Sequence, residues 1–207
     1  LLTARTILDL LEGNGRNVIV VDIQPKYWEW IKDAIDVKAF INFLNQSNKI
    51  LLIYVDPGAE QNAEGDEQDE VIDFYLNLGL SKEKLRDITF VGKGIRFFAP
   101  WFDGGASEYR ERKGIVQKVA RYMVMNRIDD SGDIEHDHLK QETGIEWQSW
   151  MDWDYIFISP DVTPGLLKRF QGAYLCGGGE NQCLADIEVL LGAFNVSVKR
   201  LKEFIYQ

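Results

Sequence analysis

Val18-Ile19-Val20-Val21-Asp22-Ile23 is the stretch that decides the fold class. It is short, β-branched and free of polar residues up to Asp22, as a strand buried on both faces of a parallel sheet must be. Working outward, residues 32–46 place Ile35, Ala39 and Phe43 on one helical row, with Phe40 and Leu44 beside it. Ile50-Leu51-Leu52-Ile53-Tyr54-Val55 repeats the buried-strand pattern and stops at the breaker Asp56-Pro57-Gly58. Strand, helix and strand in this order predict a right-handed βαβ unit. Residues 58–70 read as a polar loop whose acids favour the start of the next helix. That helix carries the stripe Val71, Tyr75, Leu78 and is capped by Gly79. Ile88-Thr89-Phe90-Val91 is a third strand, followed by Gly92-Lys93-Gly94.

The middle of the chain, about 104–150, breaks the alternation. Residues 114–126 read as a helix with Ile115, Val119, Tyr122 and Val124 apolar. Asp129 to Glu142 is polar and holds both histidines, His136 and His138. Their spacing matches no strong metal pattern, so this stretch reads as a surface loop. Alternation resumes with a strand at Asp154–Ile158, a short helix at Pro164–Phe170 and a strand at Ala173–Cys176. Then come the turn Gly177–Cys183, a helical stripe of Leu184, Ile187, Leu191 and Phe194, and a last strand at Val196–Val198. The pattern predicts an α/β three-layer sandwich around a mostly parallel sheet. It is a single domain over 1–207, with an inserted segment at about 104–150.

Composition excludes partners more sharply than it names one. The chain has 207 residues, 45% of them hydrophobic, enough to bury a substantial core. Its 33 acidic residues against 23 basic ones give a net charge of −10. A sequence-independent grip on nucleic acid needs the opposite sign, and so does adsorption to anionic lipid. No apolar run is long enough to span a membrane. Two cysteines, Cys176 and Cys183, cannot staple a chain of this size, and a reduced, cytoplasmic setting is expected. The opening residues show no secretory leader. The first residue is Leu1 rather than Met, so further residues are expected to precede it.

In open parallel sheets, ligands bind at the carboxyl ends of the strands. Asp22 ends the first strand, Lys93 follows the third, and Cys183 opens a helix just after another. A thiol at a helix N-terminus is expected to have a lowered pKa. Gly177, Gly178 and Gly179 allow unusual backbone angles and close approach of a substrate. The N–H groups of Gly178, Gly179 and Cys183 are candidates for an oxyanion hole. Asp22 would take the thiol proton, and Lys93 would stabilise the anions formed. Cys176 lies inside its strand and reads as core. The same glycine turn permits a second reading, a cradle for phosphate, although it has neither the GxGxxG spacing nor a Walker lysine. Arg96, Phe97 and Trp101, in the aromatic run after Lys93, are candidates for a substrate wall with Arg96 reading a carboxylate. Trp147, Trp150 and Trp153 either line an interface or cover the insertion.

The segment Tyr174-Leu175-Cys176-Gly177-Gly178-Gly179-Glu180-Asn181-Gln182-Cys183-Leu184 resembles the nucleophile turn of the isochorismatase-like cysteine hydrolases. Gly177, Asn181 and Cys183 fall at the matching places. Val20-Val21-Asp22-Ile23-Gln24 resembles the first motif of that family, and Lys93 fits its order of Asp, Lys, Cys. The resemblance implies a six-stranded parallel sheet, a cis peptide here between Gly178 and Gly179, and attack by Cys on an amide-type carbonyl. It also implies a small-molecule substrate and assembly as a homo-oligomer. Gln24, Glu180 and Asn181, which flank the motif residues, are expected around the substrate. No cofactor and no metal is expected, since Asp56-Pro57-Gly58 replaces the Asp-x-His of nicotinamidases. Two departures stand out. Glu180 occupies a place usually held by a small residue, where it would blunt the thiol. Lys93 lies 90 residues before Cys183, far more than usual. In a rival alignment Tyr155–Pro160 is the lysine-bearing strand, Ser159 replaces the lysine, and the fold serves only binding or assembly.

Overall fold

The structure, a computed structural model, describes residues 16–57, 65–94, 106–152, 156–180 and 182–206, without the side chains of 106–111, 150 and 152. Five parallel strands form one sheet: β1 Val18–Val21, β2 Ile50–Val55, β3 Ile88–Lys93, β4 Tyr174–Gly178 and β5 Lys199–Tyr206. Their order is β3-β2-β1-β4-β5. The helices are α1 Trp28–Ile31, α2 Val37–Gln46, α3 Gln68–Asn77, α4 Ala106–Asn126, α5 His136–Thr143, α6 Pro164–Lys168 and α7 Cys183–Ala193.

The apolar strands split by parity into two cores, because side chains alternate across a sheet. Ile19, Val21, Leu51, Ile53, Val91 and Leu175 face a cluster completed by Val119 and Met123 of α4 and by Ile187 and Leu191 of α7. Val18, Val20, Ile50, Leu52 and Cys176 face the other side, against Phe40 and Leu44 of α2 and Val71 and Tyr75 of α3. Two helical layers on one sheet make the three-layer sandwich. β1 and β2 are buried along their whole length, which is why their runs have no polar interruption.

Several sequence expectations are corrected. The helix expected from residue 32 begins at Val37, because the Asp36 carboxylate caps it by accepting from Ala39 N at 2.9 Å. Asp129–Glu142 is not all loop. It includes α5, which buries Leu139 and ends at Gly144 with φ +71°, the left-handed cap that glycine supplies. His138 on α5 is bound to Tyr122 Oη at 2.7 Å, and His136 stacks on Trp147 at 4.6 Å. The strand expected at Asp154–Ile158 is absent where the chain is described. Phe157 and Ile158 make only isolated antiparallel bridges, to Asp130 and Lys93. The last strand is Lys199–Tyr206 rather than Val196–Val198, and buries Leu201, Phe204 and Tyr206. The described sheet therefore has five strands where six were expected. No helix among the described residues is long and apolar enough to cross a membrane.

Candidate active site

The strand order reverses direction between β1 and β4, and crevices of parallel sheets open at such a switch point. Asp22 stands at this place. Its N–H bonds Ile53 O at 2.9 Å, and its φ of +54° turns the chain out of β1. Asp tolerates that left-handed conformation better than most residues. Tyr206, at the end of β5, donates its hydroxyl to the Asp22 carbonyl at 2.5 Å. Its ring lies where a Cβ on Gly178 would stand, 2.3 Å from Tyr206 Cζ. Glycine at 178 is thus what lets the last strand brace the first.

Lys93 is the final residue of β3, and its side chain passes over the end of β2 to reach β1. Lys93 Nζ lies 3.1 Å from Asp22 Oδ2, with the two side chains 1% and 2% exposed. This is an ion pair at contact distance, yet neither carboxylate oxygen receives an aligned hydrogen bond among the described residues. Burial pulls the Lys93 ammonium toward neutrality, but Asp22, with Cys183 and Asp186, outweighs it and raises its pKa. Lys93, not Ser159, is the cation at Asp22. Ser159 instead accepts from Asp161 N in a local turn.

Cys183 is the first residue of α7 and is half-buried. The turn that delivers it needs glycine twice. A Cβ on Gly177, at φ +124°, would stand 1.9 Å from Val21 O. A Cβ on Gly179, at φ +62°, would press on Cys183 N at 3.0 Å and on Cys183 Sγ at 3.4 Å. The described peptide bonds are all trans, which corrects the cis bond expected between Gly178 and Gly179. The left-handed Gly179 makes the reversal instead. Gly179 N–H donates to Tyr206 O at 3.2 Å, which withdraws it from the expected oxyanion hole.

The lowered thiol pKa expected at a helix start is also corrected. Burial pushes the Cys183 thiol well above its ordinary value, and Asp22 adds to this more than Lys93 offsets. The resting thiol is protonated at neutral pH. The Glu180 carboxylate lies 3.6 Å from Arg200, which also pairs with Glu188 at 2.8 Å.

Gln24 is fully buried, and its amide is taken up by the scaffold. It donates to Asp66 at 2.6 Å and accepts from Val55 N at 2.7 Å, and Asp66 also accepts from Lys26 N. It pins the segment after β1 to the end of β2. Arg96, Phe97, Trp101 and Asn181 lie outside the described residues, as does Trp153.

Two residues that sequence reasoning passed over stand at this site. Asp186 is 1% exposed in the first turn of α7 and acts electrostatically on both Cys183 and Lys93. The Cys183-x-x-Asp186 spacing, which puts both on one helix face, was its signal. Tyr27 has its phenol pushed up to about 12, by burial first and then by Asp22. Trp30, 66% exposed, stacks on it at 5.6 Å. The aromatic run Tyr27-Trp28-Glu29-Trp30, placed directly after the Asp22 strand, announced a wall.

Beside this centre a cavity of about 490 Å³ opens at the ends of β2 and β3. Lys93 belongs to its lining, whereas Asp22 and Cys183 do not. Its far wall is the segment bridged to Lys93 through Ile158 and to Asp130 through Phe157. No group of three or more His, Cys, Asp or Glu side chains among the described residues is arranged to hold a metal.

Comparison of the chain with protein-family models, with curated proteins and with solved structures gives no match.

Proposed function

We propose that this protein hydrolyses an amide-type C–N bond of a small molecule through a Cys183 thioester. The observation that carries this reading is the buried Lys93–Asp22 pair, 3.1 Å apart, beside a cysteine at a helix N-terminus. A carboxylate, an ammonium and a thiol gathered from three strand ends serve acyl transfer in a definite way. The Cys183 proton passes to Asp22 as Sγ attacks the carbonyl carbon. The oxygen gains negative charge near the Cys183 N–H and the Lys93 ammonium. Collapse breaks the C–N bond, and Asp22 returns the proton to the leaving nitrogen. Water then attacks the thioester, giving its proton to Asp22, which passes it back to the departing sulfur. Acid and thiol are restored. With the thiol pKa raised at rest, this cycle requires the proton to leave Sγ only as the substrate's charge develops.

The test is release of ammonia or amine from a panel of small amides, with mass spectrometry for an acyl adduct on Cys183. Turnover that falls by roughly 10²-fold or more in Asp22→Asn and disappears in Cys183→Ala supports the reading. Turnover unchanged in Cys183→Ala refutes it. The raised thiol pKa favours one rival, a binding or assembly protein on the same fold. That rival predicts ligand binding with no adduct and no turnover.

A further inference from the structure

Tyr206 closes a line of contacts that runs from the carboxylate-bearing residue of the centre to the thiol-bearing one. Its hydroxyl donates to the Asp22 carbonyl at 2.5 Å, and its own carbonyl accepts from Gly179 N at 3.2 Å. Gly179 O accepts in turn from Gln182 N at 2.8 Å and Leu184 N at 3.2 Å, the residues on either side of Cys183. The ring packs so closely on Gly178 that a Cβ there would stand 2.4 Å from the hydroxyl oxygen. Tyr206 is 6% exposed, and a hydrogen bond so shielded is stronger than one in water. Asp22 acts electrostatically on the Tyr206 phenol and on the Cys183 thiol alike.

Asp22 needs such a hold. Its carboxylate meets Lys93 at 3.1 Å, yet neither oxygen receives an aligned hydrogen bond among the described residues. The aim of the carboxylate then follows the Cα–Cβ bond, which the two flanking peptide planes set. Asp22 N on Ile53 O at 2.9 Å fixes the plane before it, and the Tyr206 hydroxyl fixes the plane after it. The φ of +54° is sparsely populated for an aspartate, and it persists where the surroundings over-determine it. We propose that Tyr206 is a positioning residue of this centre, holding the Asp22 main chain and the turn before Cys183 at one separation so that the carboxylate stays within reach of the thiol. Its effect on turnover rests on the hydrolase reading. The placement of Asp22 against the thiol does not.

The experiment compares Tyr206→Phe with the parent in the full chain, a thermal melt confirming the fold of each protein. Phenylalanine keeps the ring on Gly178 and the bond from Gly179 N, and removes only the hydroxyl. Iodoacetamide labelling of Cys183, followed by peptide mass spectrometry, reads the influence of Asp22 on the thiol. At neutral pH, Tyr206→Phe should label about threefold faster or more, part of the way to Asp22→Asn. In the Asp22→Asn/Lys93→Met background the same substitution should add nothing, because no carboxylate remains to be placed. Phe204→Leu loosens the same strand where it packs on Phe40 and Phe43, and should keep the parent rate. With an amide substrate, Tyr206→Phe should lower kcat about tenfold and leave KM within about twofold. Labelling no faster than the parent's overturns the proposal. So does an equal acceleration in Phe204→Leu or in the charge-free background, an unchanged kcat, or a Tyr206→Phe protein that does not fold. Each of these makes the hydroxyl a prop of the sheet alone. The two readings fail separately. A parent that turns over no amide ends the hydrolase reading and leaves the labelling result to decide this one. Cys183-dependent turnover with unaltered labelling does the reverse.

Discussion

Replacing Lys93 by Met tests the central pair most directly. Both partners are almost wholly shielded from water, and their charged atoms are 3.1 Å apart. At an effective dielectric of about 20, two unit charges at that distance attract by roughly 5 kcal/mol. Much of this is offset by the cost of stripping water from both. Removing Lys93 alone leaves that cost on Asp22 with nothing to oppose it, so the variant should lose about 3–5 kcal/mol. For a chain of this length that corresponds to a fall of about 6–20 °C in melting temperature. Asp22→Asn leaves a buried ammonium and should be comparably damaging. The double variant Asp22→Asn/Lys93→Met removes both charges and should return to within about 1–2 kcal/mol of the parent. Urea unfolding of the four proteins at pH 7, compared at a common m-value, gives the coupling energy. A loss under about 1 kcal/mol in Lys93→Met, or a double variant equal to the sum of the singles, would refute the claim that the pair is buried and mutually dependent.

Three further outcomes follow from the same geometry. The Lys93 pKa is raised in the folded state, so its stabilisation is complete below the unfolded value near ~10.4 and is lost as pH rises through the folded value; urea midpoints measured up to alkaline pH should fall more steeply in the parent than in Lys93→Met. Iodoacetamide should label Cys183 slowly at neutral pH and faster as pH rises, with an apparent pKa above the free-thiol ~8.5; Asp22→Asn should speed labelling, Lys93→Met should slow it, and an Asp22→Asn protein no faster than the parent would contradict the assigned cause. Gly177→Ala sets a Cβ 1.9 Å from Val21 O at φ +124° and should cost about 4 kcal/mol or more, read as loss of soluble protein or a melt lowered by ~8–16 °C; an unchanged melt would deny the close approach of β4 to β1.

The fold was legible where burial leaves an unambiguous trace. β1 and β2 are covered on both faces, so their sequences had no freedom to be polar. β5 was harder, because Lys199, Lys202 and Glu203 hold the solvent side of a strand at the edge of the sheet, and charges of that kind read as a chain tail. α5 was missed for a related reason: only Leu139 is buried among its eight residues, too little to give a stripe. At the site, Asp22, Lys93 and Cys183 could be picked out by position, each at a strand end. Their protonation could not, because the helix N-terminus visible in sequence competes with burial and with Asp22, and both of those depend on tertiary placement. Glu180 shows the same limit. Its threat to the thiol was a one-dimensional inference, and Arg200, twenty residues on, sets its direction. Asp186 was readable from spacing alone, yet only its burial makes it matter.

The hydroxyl of Tyr206 on the carbonyl of Asp22 spans 184 residues of sequence. Contacts so distant in the chain form late, since the intervening loop must close first. During vectorial synthesis, a nascent chain lacking β5 has every member of the Asp22–Lys93–Cys183 centre but not the strap that fixes Asp22 in its left-handed turn. In such a chain Asp22 lacks the hydrogen bond that β5 supplies, so the geometry of this strand end depends on assembly of the whole sheet.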